Sequence, residues 1–266
     1  MSSLDVVIMA AGKGTRMKSR LPKVLHKLAG RPLLAHVMST VDALDARSIV
    51  VITGNGAQEV EAAVAHWLCK GPAPVFVRQE PQLGTGHAVQ QAAPRLPDSG
   101  IALILNGDVP LIEASTLRQL VTACGGRKLA LLSIEMDDPT GYGRILREGE
   151  SVQGIVEHKD ASAAQREIRE VYTGFMAVPT QRLKQWLSRL KNDNAQGEYY
   201  LTDVVALAVQ DGIEVVAVKA ARQMEVDGVN SPMQLAALER AHQRGGRPSA
   251  AHAGWGIVMV SRRSSD

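Results

Sequence analysis

The sequence predicts an α/β protein on a Rossmann-like mixed, mostly parallel sheet. Three observations carry that expectation. Apolar runs of strand length alternate with helical patterns through most of the 266 residues. Two of the runs open directly into loops bearing glycine. Aromatic residues make up only 3% of the chain, so the core must be built from Ala, Val, Leu and Ile. A βαβαβα rhythm of this kind implies parallel strands joined by crossover helices.

The elements follow in order. Residues 6–11 read as the first strand, and a helix starts at Pro32, a residue suited to a first helical turn. Residues 48–53 form a second strand, followed by a helix over 57–68. Residues 75–78 are a short third strand, with a helix over 85–93. The run 101–105 is wholly apolar, as a strand covered on both faces should be. The second half is more mixed, with strands near 130–135, 154–157, 173–178 and 215–218. Helices are expected at 181–190, at 202–210 and from about 231. After about Gln243 the period is lost, and residues 245–266 are expected to be irregular.

Bulk numbers narrow the function. Apolar content of 45%, charged content of 21% and a formal charge of +3 suit a soluble globular protein and argue for neither nucleic acid nor membrane as partner. The two cysteines, Cys69 and Cys124, have no metal-type spacing. With no basic leader and no run of the roughly 20 apolar residues that a bilayer span needs, a cytoplasmic location is expected.

The first strand ends in Met9-Ala10-Ala11-Gly12-Lys13-Gly14-Thr15-Arg16, and Leu21-Pro22-Lys23 follows. Glycines let backbone N–H groups approach phosphate oxygens, and the cations Lys13, Arg16 and Lys23 can neutralise them. The P-loop spacing is absent. The dinucleotide fingerprint fails too: Met17 stands where its third glycine belongs, and Asp42 and Asp45 lie too far along for its acidic residue. A nucleoside triphosphate site at the end of the first strand is the remaining phosphate reading, against a plain strand-to-helix turn.

Other segments each carry two readings. Asp108, after the buried strand through Asn106-Gly107, is a hard ligand for Mg²⁺ or a turn aspartate before Pro110. In Gln82-Leu83-Gly84-Thr85-Gly86-His87, Thr85 caps a helix or donates to a ligand, and the preceding Gln79 could read a base edge. Residues 140–145 form a hairpin or a wall over a ligand. Glu157 accepts from sugar hydroxyls or belongs to a solvated turn. Residues 194–203 group polar and aromatic side chains ahead of a helix, and Asn230 offers an amide oxygen as a second metal ligand.

Taken together, the order and spelling of these segments resemble the uridylyltransferase domain of the bacterial bifunctional N-acetylglucosamine-1-phosphate uridylyltransferase/glucosamine-1-phosphate acetyltransferases. Asp137-Asp138-Pro139-Thr140-Gly141-Tyr142-Gly143-Arg144 and Asn194-Ala195-Gln196-Gly197-Glu198-Tyr199-Tyr200 are the most specific matches, and the resemblance runs from about Leu4 to Arg244. It implies a sheet of the nucleotide-diphospho-sugar transferase type. It also implies transfer of UMP from UTP to N-acetylglucosamine 1-phosphate, releasing pyrophosphate and supplying a cell-wall precursor. By the same resemblance Met9, Ala10, Ala11, Gly12, Lys23, Gln79, Gly84, Thr85, Asn106 and Gly107 would hold the nucleotide. Arg16, Lys23 and Asp108 would carry the catalysis, Asp108 and Asn230 would bind Mg²⁺, and Gly143, Glu157 and Tyr172 would face the sugar.

The chain departs from the family pattern in places. Asn106 stands where the family usually has Tyr, Tyr172 where it has a sugar-contacting Asn, and Met9 where it has Leu. Asn-Gly-Asp occurs in related sugar nucleotidylyltransferases, whereas Tyr172 should reshape the sugar pocket. The expected layout is a transferase domain over 1–230, a helix over 231–244 and a tail over 245–266. The family's β-helix acetyltransferase domain is expected to be absent, which leaves its trimer open. The alternatives are transfer to a different sugar 1-phosphate, and a nucleotide-sugar-binding module without turnover.

Overall fold

The structure, a computed structural model, describes residues 3–67 and 70–244. Cys69 and the tail expected at 245–266 lie outside the described residues.

The first half alternates strand and helix: β1 (Leu4–Met9), a small hairpin of β2 (Lys27–Leu28) and β3 (Arg31–Pro32), α1 (Leu33–Val41), β4 (Ser48–Thr53), α2 (Ala57–Ala65), β5 (Val75–Arg78), α3 (Thr85–Ala92), β6 (Ile101–Asn106) and α4 (Ala114–Cys124). The second half holds β7 (Leu129–Glu135), β8 (Arg144–Glu148), β9 (Ser151–Val156), α5 (Ala163–Arg166), β10 (Glu170–Pro179), α6 (Thr180–Leu187), α7 (Asp203–Gln210), β11 (Val215–Lys219), α8 (Gln223–Val226) and α9 (Pro232–Arg244). The first strand ends at Met9 rather than Ala11, so Ala10 and Ala11 belong to the loop that follows.

Apart from β2 and β3, which pair only with each other, the strands form one sheet in the order β5-β4-β1-β6-β10-β7-β11, with β8 pairing on β10 and β9 on β8. Pairings of β1 with β4 and β6, of β4 with β5 and of β7 with β11 are parallel, whereas β10 runs antiparallel to β6, β7 and β8. The sheet is therefore mixed and mostly parallel. Only a four-residue helix, α5, precedes β10. A parallel crossover needs a dozen or more residues and usually a full helix, which that connection does not supply.

The central strands read as continuous apolar runs because both sheet faces are covered. Val6, Ile8, Leu103 and Leu105 pack with Leu34, Val37 and Met38 of α1, Val60 and Val64 of α2, and Leu117, Leu120 and Cys124 of α4. Val7, Ala102 and Ile104 face the other way, onto Ala88 and Val89 of α3, Leu183 and Trp186 of α6, and Val204 and Val205 of α7. Each fully buried side chain of the Val, Leu or Ile kind contributes about 1.5–3 kcal/mol relative to exposure. A third, smaller cluster joins Met17, Leu28, Leu33, Val229 and Leu238, which fixes α9 beside the loop after β1. Among the described residues, no helix is long and apolar enough to cross a membrane.

Candidate functional site

The chain winds from β1 outward through β4 to β5 and then returns to β6 on the other side of β1. In such sheets ligands bind beyond the carboxyl ends of the strands where the order reverses. Met9 is in register with Asn106, and the N–H of Gly107 donates to the Met9 carbonyl at 2.9 Å. The loop after β1 and the Asn106–Asp108 turn therefore open side by side at that edge.

Within the first loop the two glycines do different work. A Cβ on Gly12 would meet nothing within 4 Å, so its backbone faces open space. Gly14 has φ +59°, and a Cβ there would lie 2.8 Å from the Cβ of Lys23. The missing Cβ leaves room for the stem of Lys23 against the loop. The Lys23 ammonium then donates to Asp108 Oδ2 at 2.5 Å and to Asn230 Oδ1 at 2.9 Å. The loop carrying Asn230 is tied down in turn: the Val229 N–H donates to the Asp108 carbonyl at 3.0 Å, and the Asn230 N–H to Gln234 Oε1 at 2.9 Å.

Two adjoining clefts share Asn106, Asp108, Gly141 and Asn230. The larger, about 640 Å³, is lined by Met9, Ala10, Ala11, Gly12, Lys13, Lys23, Gln79, Gly84, Thr85, Asn106, Asp108 and Asn230, with Gln82 and Glu198 on its wall. The smaller, about 190 Å³, brings in Arg16, Tyr142 and Thr173. Gly107 lies beneath, where a Cβ would stand 3.1 Å from the Met9 carbonyl oxygen. The Asn106 side chain covers Gly174, whose φ is +92° and whose Cβ would clash with Asn106 Nδ2.

The second glycine loop is clasped by the segment at 194–203. Gly84 has φ +106° and ψ 174°. The N–H of Gly86 donates to the Tyr199 carbonyl at 2.7 Å, and that of Tyr199 to the Leu83 carbonyl at 2.9 Å. Thr85 does not cap α3; its Oγ1 accepts the Leu201 N–H at 3.0 Å, which leaves the hydroxyl proton to donate into the cleft. Gln79 is 5% exposed. Its Nε2 lies 2.8 Å from the Gly84 carbonyl and 3.2 Å from His87 Nδ1, so a ligand would meet its carbonyl oxygen rather than its amide hydrogens. Gln82, not singled out from the sequence, donates from Nε2 to the Ala11 carbonyl and so joins the two glycine loops. Its only sequence signal is its place at the head of the second glycine motif.

Gly143 just before β8, Glu157 just after β9 and Tyr172 within β10 come together but line neither cleft. The Tyr172 N–H donates to the Gly143 carbonyl at 2.9 Å, and a Cβ on Gly143 would lie 3.6 Å from both Glu157 carboxylate oxygens. The solvated-turn reading of Glu157 does not hold: the residue is half-buried and accepts from the Thr202 hydroxyl at 2.9 Å. Burial pushes its carboxyl above the ordinary value, and Asp160 and Glu198 add to the effect. Asp203 is pushed up to about 6 by burial, with Glu157 and Asp160 contributing. Tyr172 is 8% exposed with a hydroxyl that has no hydrogen-bond partner, and burial, then Glu157, push that hydroxyl's pKa up. The phenol is thus largely a core side chain, packed in the cluster of α3, α6 and α7.

The donor set suits Mg²⁺. Asp108 and Asn230 present one carboxylate oxygen and one amide oxygen to a single cation, here the Lys23 ammonium. Mg²⁺ characteristically takes one or two protein oxygens and fills its octahedron with phosphate oxygens and water. Among the described residues no group of three or more His, Cys, Asp or Glu is placed to hold a metal ion.

Comparison with known proteins gives the chain's relatives. The chain is 66% identical over 245 residues to the "Bifunctional protein GlmU" of Methylibium petroleiphilum, covering 91% of this chain and 53% of that protein. It is 65% identical over 242 residues to the protein of the same name from Albidiferax ferrireducens, covering 90% of this chain and 52% of that one. The chain thus spans about half the length of the curated relatives it matches. Its fold matches a UDP-glucose pyrophosphorylase complexed with UDP-glucose at TM-score 0.77 and 16% identity, over 92% of this chain and all of the other. A putative glucose-1-phosphate thymidylyltransferase from Bacillus anthracis matches at TM-score 0.70 and 16% identity, over 90% of this chain and 95% of that one. Residues 6–171 match the family model of the MobA-like NTP transferase domain, and the chain belongs to that family.

Proposed function

We propose that this chain transfers UMP from UTP to N-acetylglucosamine 1-phosphate, giving UDP-N-acetylglucosamine and pyrophosphate. One observation carries the reading: Lys23, Asp108 and Asn230 converge beside the glycine loop at the point where the strand order reverses. The high identity to bifunctional GlmU proteins supports the choice of substrates.

The residues divide the work by chemistry. The backbone at Ala10, Ala11 and Gly12 receives phosphate oxygens, with Met9, Asn106 and Gly107 as the floor beneath them. Gln79, Gly84 and Thr85 hold the uridine. Arg16 and Lys23 offset charge on the phosphates, and the charge spread over the transferring phosphoryl group is where such donors accelerate reaction most. Asp108 and Asn230 hold Mg²⁺, which when bound polarises phosphate oxygens. Gly143 and Glu157 face the sugar, with the buried Tyr172 bonded to Gly143 through its backbone N–H, and a Glu157 carboxylate can accept from a sugar hydroxyl. The sugar phosphate oxygen attacks the α-phosphorus in line, pyrophosphate leaves, and no covalent enzyme intermediate forms. Positioning the two substrates supplies much of the rate.

The transferase unit covers residues 1–230, with the helix at 231–244 attached, and works in the cytoplasm. A second reading keeps the chemistry and changes the sugar, favoured by the buried phenol of Tyr172. The test is pyrophosphate release from purified protein with UTP, Mg²⁺ and a panel of sugar 1-phosphates. Release with N-acetylglucosamine 1-phosphate supports the proposal, and release with another sugar alone selects the second reading. Silence from folded protein that binds UTP refutes both.

A further inference from the structure

We propose that Lys23 acts as the resident cation of the metal site in the nucleotide-free protein, excluding a divalent ion until nucleotide phosphates draw its ammonium away. The inference rests on the reading of Asp108 and Asn230 as metal ligands.

The geometry is specific. The ammonium lies 2.5 Å from Asp108 Oδ2 and 2.9 Å from Asn230 Oδ1. These are the oxygens a divalent ion would need. The Lys23 and Asp108 side chains are each only 14% exposed, so water screens the pair weakly. An ammonium and a divalent ion cannot share that spot, because like charges a few ångströms apart repel strongly where water is scarce. While Lys23 holds both oxygens, the divalent ion must displace it.

The same residue is built to move. Its stem is fixed near the backbone: Lys23 starts a short helical turn, the His26 N–H donates to its carbonyl at 3.2 Å, and Gly14 abuts its Cβ. Beyond that point a lysine is a compact charge on a flexible chain with three rotatable donors. Lys23 also lines the larger cleft beside Gly12 and Lys13, where phosphates would offer it new anionic oxygens. Nucleotide binding would thereby free Asp108 and Asn230 for the ion that arrives with the phosphates. Metal and nucleotide binding are then coupled through one side chain, and by linkage the coupling is reciprocal.

The test measures Mn²⁺ binding, by water-proton relaxation, to wild type, Lys23→Met and Asp108→Asn, each with and without UTP. Circular dichroism confirms that each variant is folded. Without nucleotide, wild type should bind no more Mn²⁺ than Asp108→Asn, while Lys23→Met should bind about tenfold more tightly or better, within the usual span of coupling between sites. With UTP, wild type should gain Asp108-dependent Mn²⁺ binding. Equal affinity of nucleotide-free wild type and Lys23→Met overturns the proposal. So does Asp108-dependent Mn²⁺ binding by nucleotide-free wild type, a result that stands even if Lys23→Met fails to fold. If no Asp108-dependent binding occurs in any protein, even with UTP, the metal-ligand reading itself fails, and the proposal falls with it.

Discussion

Gly84→Ala should unfold the clasp around the second glycine loop, whereas Gly12→Ala should leave stability alone and weaken nucleotide binding. The Gly84 backbone, at φ +106° and ψ 174°, sits in a region that only glycine occupies comfortably. An alanine held there costs about 1–3 kcal/mol. Its Cβ would also lie 2.6 Å from the Tyr199 carbonyl oxygen and 3.0 Å from the Tyr199 nitrogen. Those are backbone atoms of a clasped segment and cannot swing aside. Relieving the contact disturbs the bonds from Gly86 to Tyr199 and from Tyr199 to Leu83, each worth about 1 kcal/mol. The stiffer unfolded chain returns about 0.4–1 kcal/mol, so the net loss is roughly 3 kcal/mol. Gly12 has open space where its Cβ would stand, and its replacement should cost no more than about 0.5 kcal/mol. That methyl would stand where phosphate oxygens approach, so affinity for UTP should fall about tenfold or more, roughly 1.4 kcal/mol. Urea unfolding followed by circular dichroism gives the stabilities, and calorimetric titration gives the affinities. A Gly84→Ala protein within about 1 kcal/mol of wild type would refute the clash argument. A Gly12→Ala protein with unaltered UTP affinity would refute the assignment of that backbone to the phosphates.

Asp203 has its folded pKa raised from 3.8 to about 6. Its folded form therefore keeps the proton longer than the unfolded chain, and stability falls as pH rises through that interval. At about 1.4 kcal/mol per pH unit the penalty reaches up to about 3 kcal/mol at neutral pH. Asp203→Asn should accordingly be more stable than wild type at pH 7.5 and indistinguishable from it near pH 3.5 in chemical unfolding; no gain at pH 7.5 counts against the burial argument. Tyr172→Phe removes a buried hydroxyl without a partner and should stabilise the protein by about 1–2 kcal/mol. If the sugar uses that hydroxyl, the KM for the sugar phosphate rises while the KM for UTP holds. A loss of stability would show that the hydroxyl is satisfied. Asp108→Asn should keep its circular dichroism spectrum and lose about a hundredfold or more of Mg²⁺-dependent pyrophosphate release, and full activity would remove Asp108 from the mechanism.

Much of the fold was legible because the signals are local. The run Ile101 to Leu105 reads as a strand covered on both faces, and it lies at the centre of the sheet between β1 and β10. Helix α4 carries a weaker local signal, although Leu117, Leu120 and Cys124 share one face and Gly125, in a left-handed conformation, ends it. Its polar first turn follows Pro110 closely and hides the start. Residues 140–145 read equally as a hairpin or a wall, and the structure puts Arg144 in β8 as a fully buried cation. A charged residue argues against a core strand until the carbonyls that receive it, from Tyr142 and Arg166, are known.

What the sequence determined was the class of chemistry and the placement of its parts along the chain. Glycines at loop positions, cations beside them and a carboxylate after a buried strand are properties of neighbouring residues, and neighbours are what a sequence displays. Tertiary structure decided which distant groups meet. Lys23 reaches Asp108 across 85 positions and Asn230 across 207. It also decided that Asn106 rests on Gly174 and that the Tyr172 hydroxyl is buried without a partner. Periodicity fixes which face of a strand or helix is apolar, but strand order sets which loops share an edge. That order comes from packing both faces of the whole sheet at once, and no local run of residues records it.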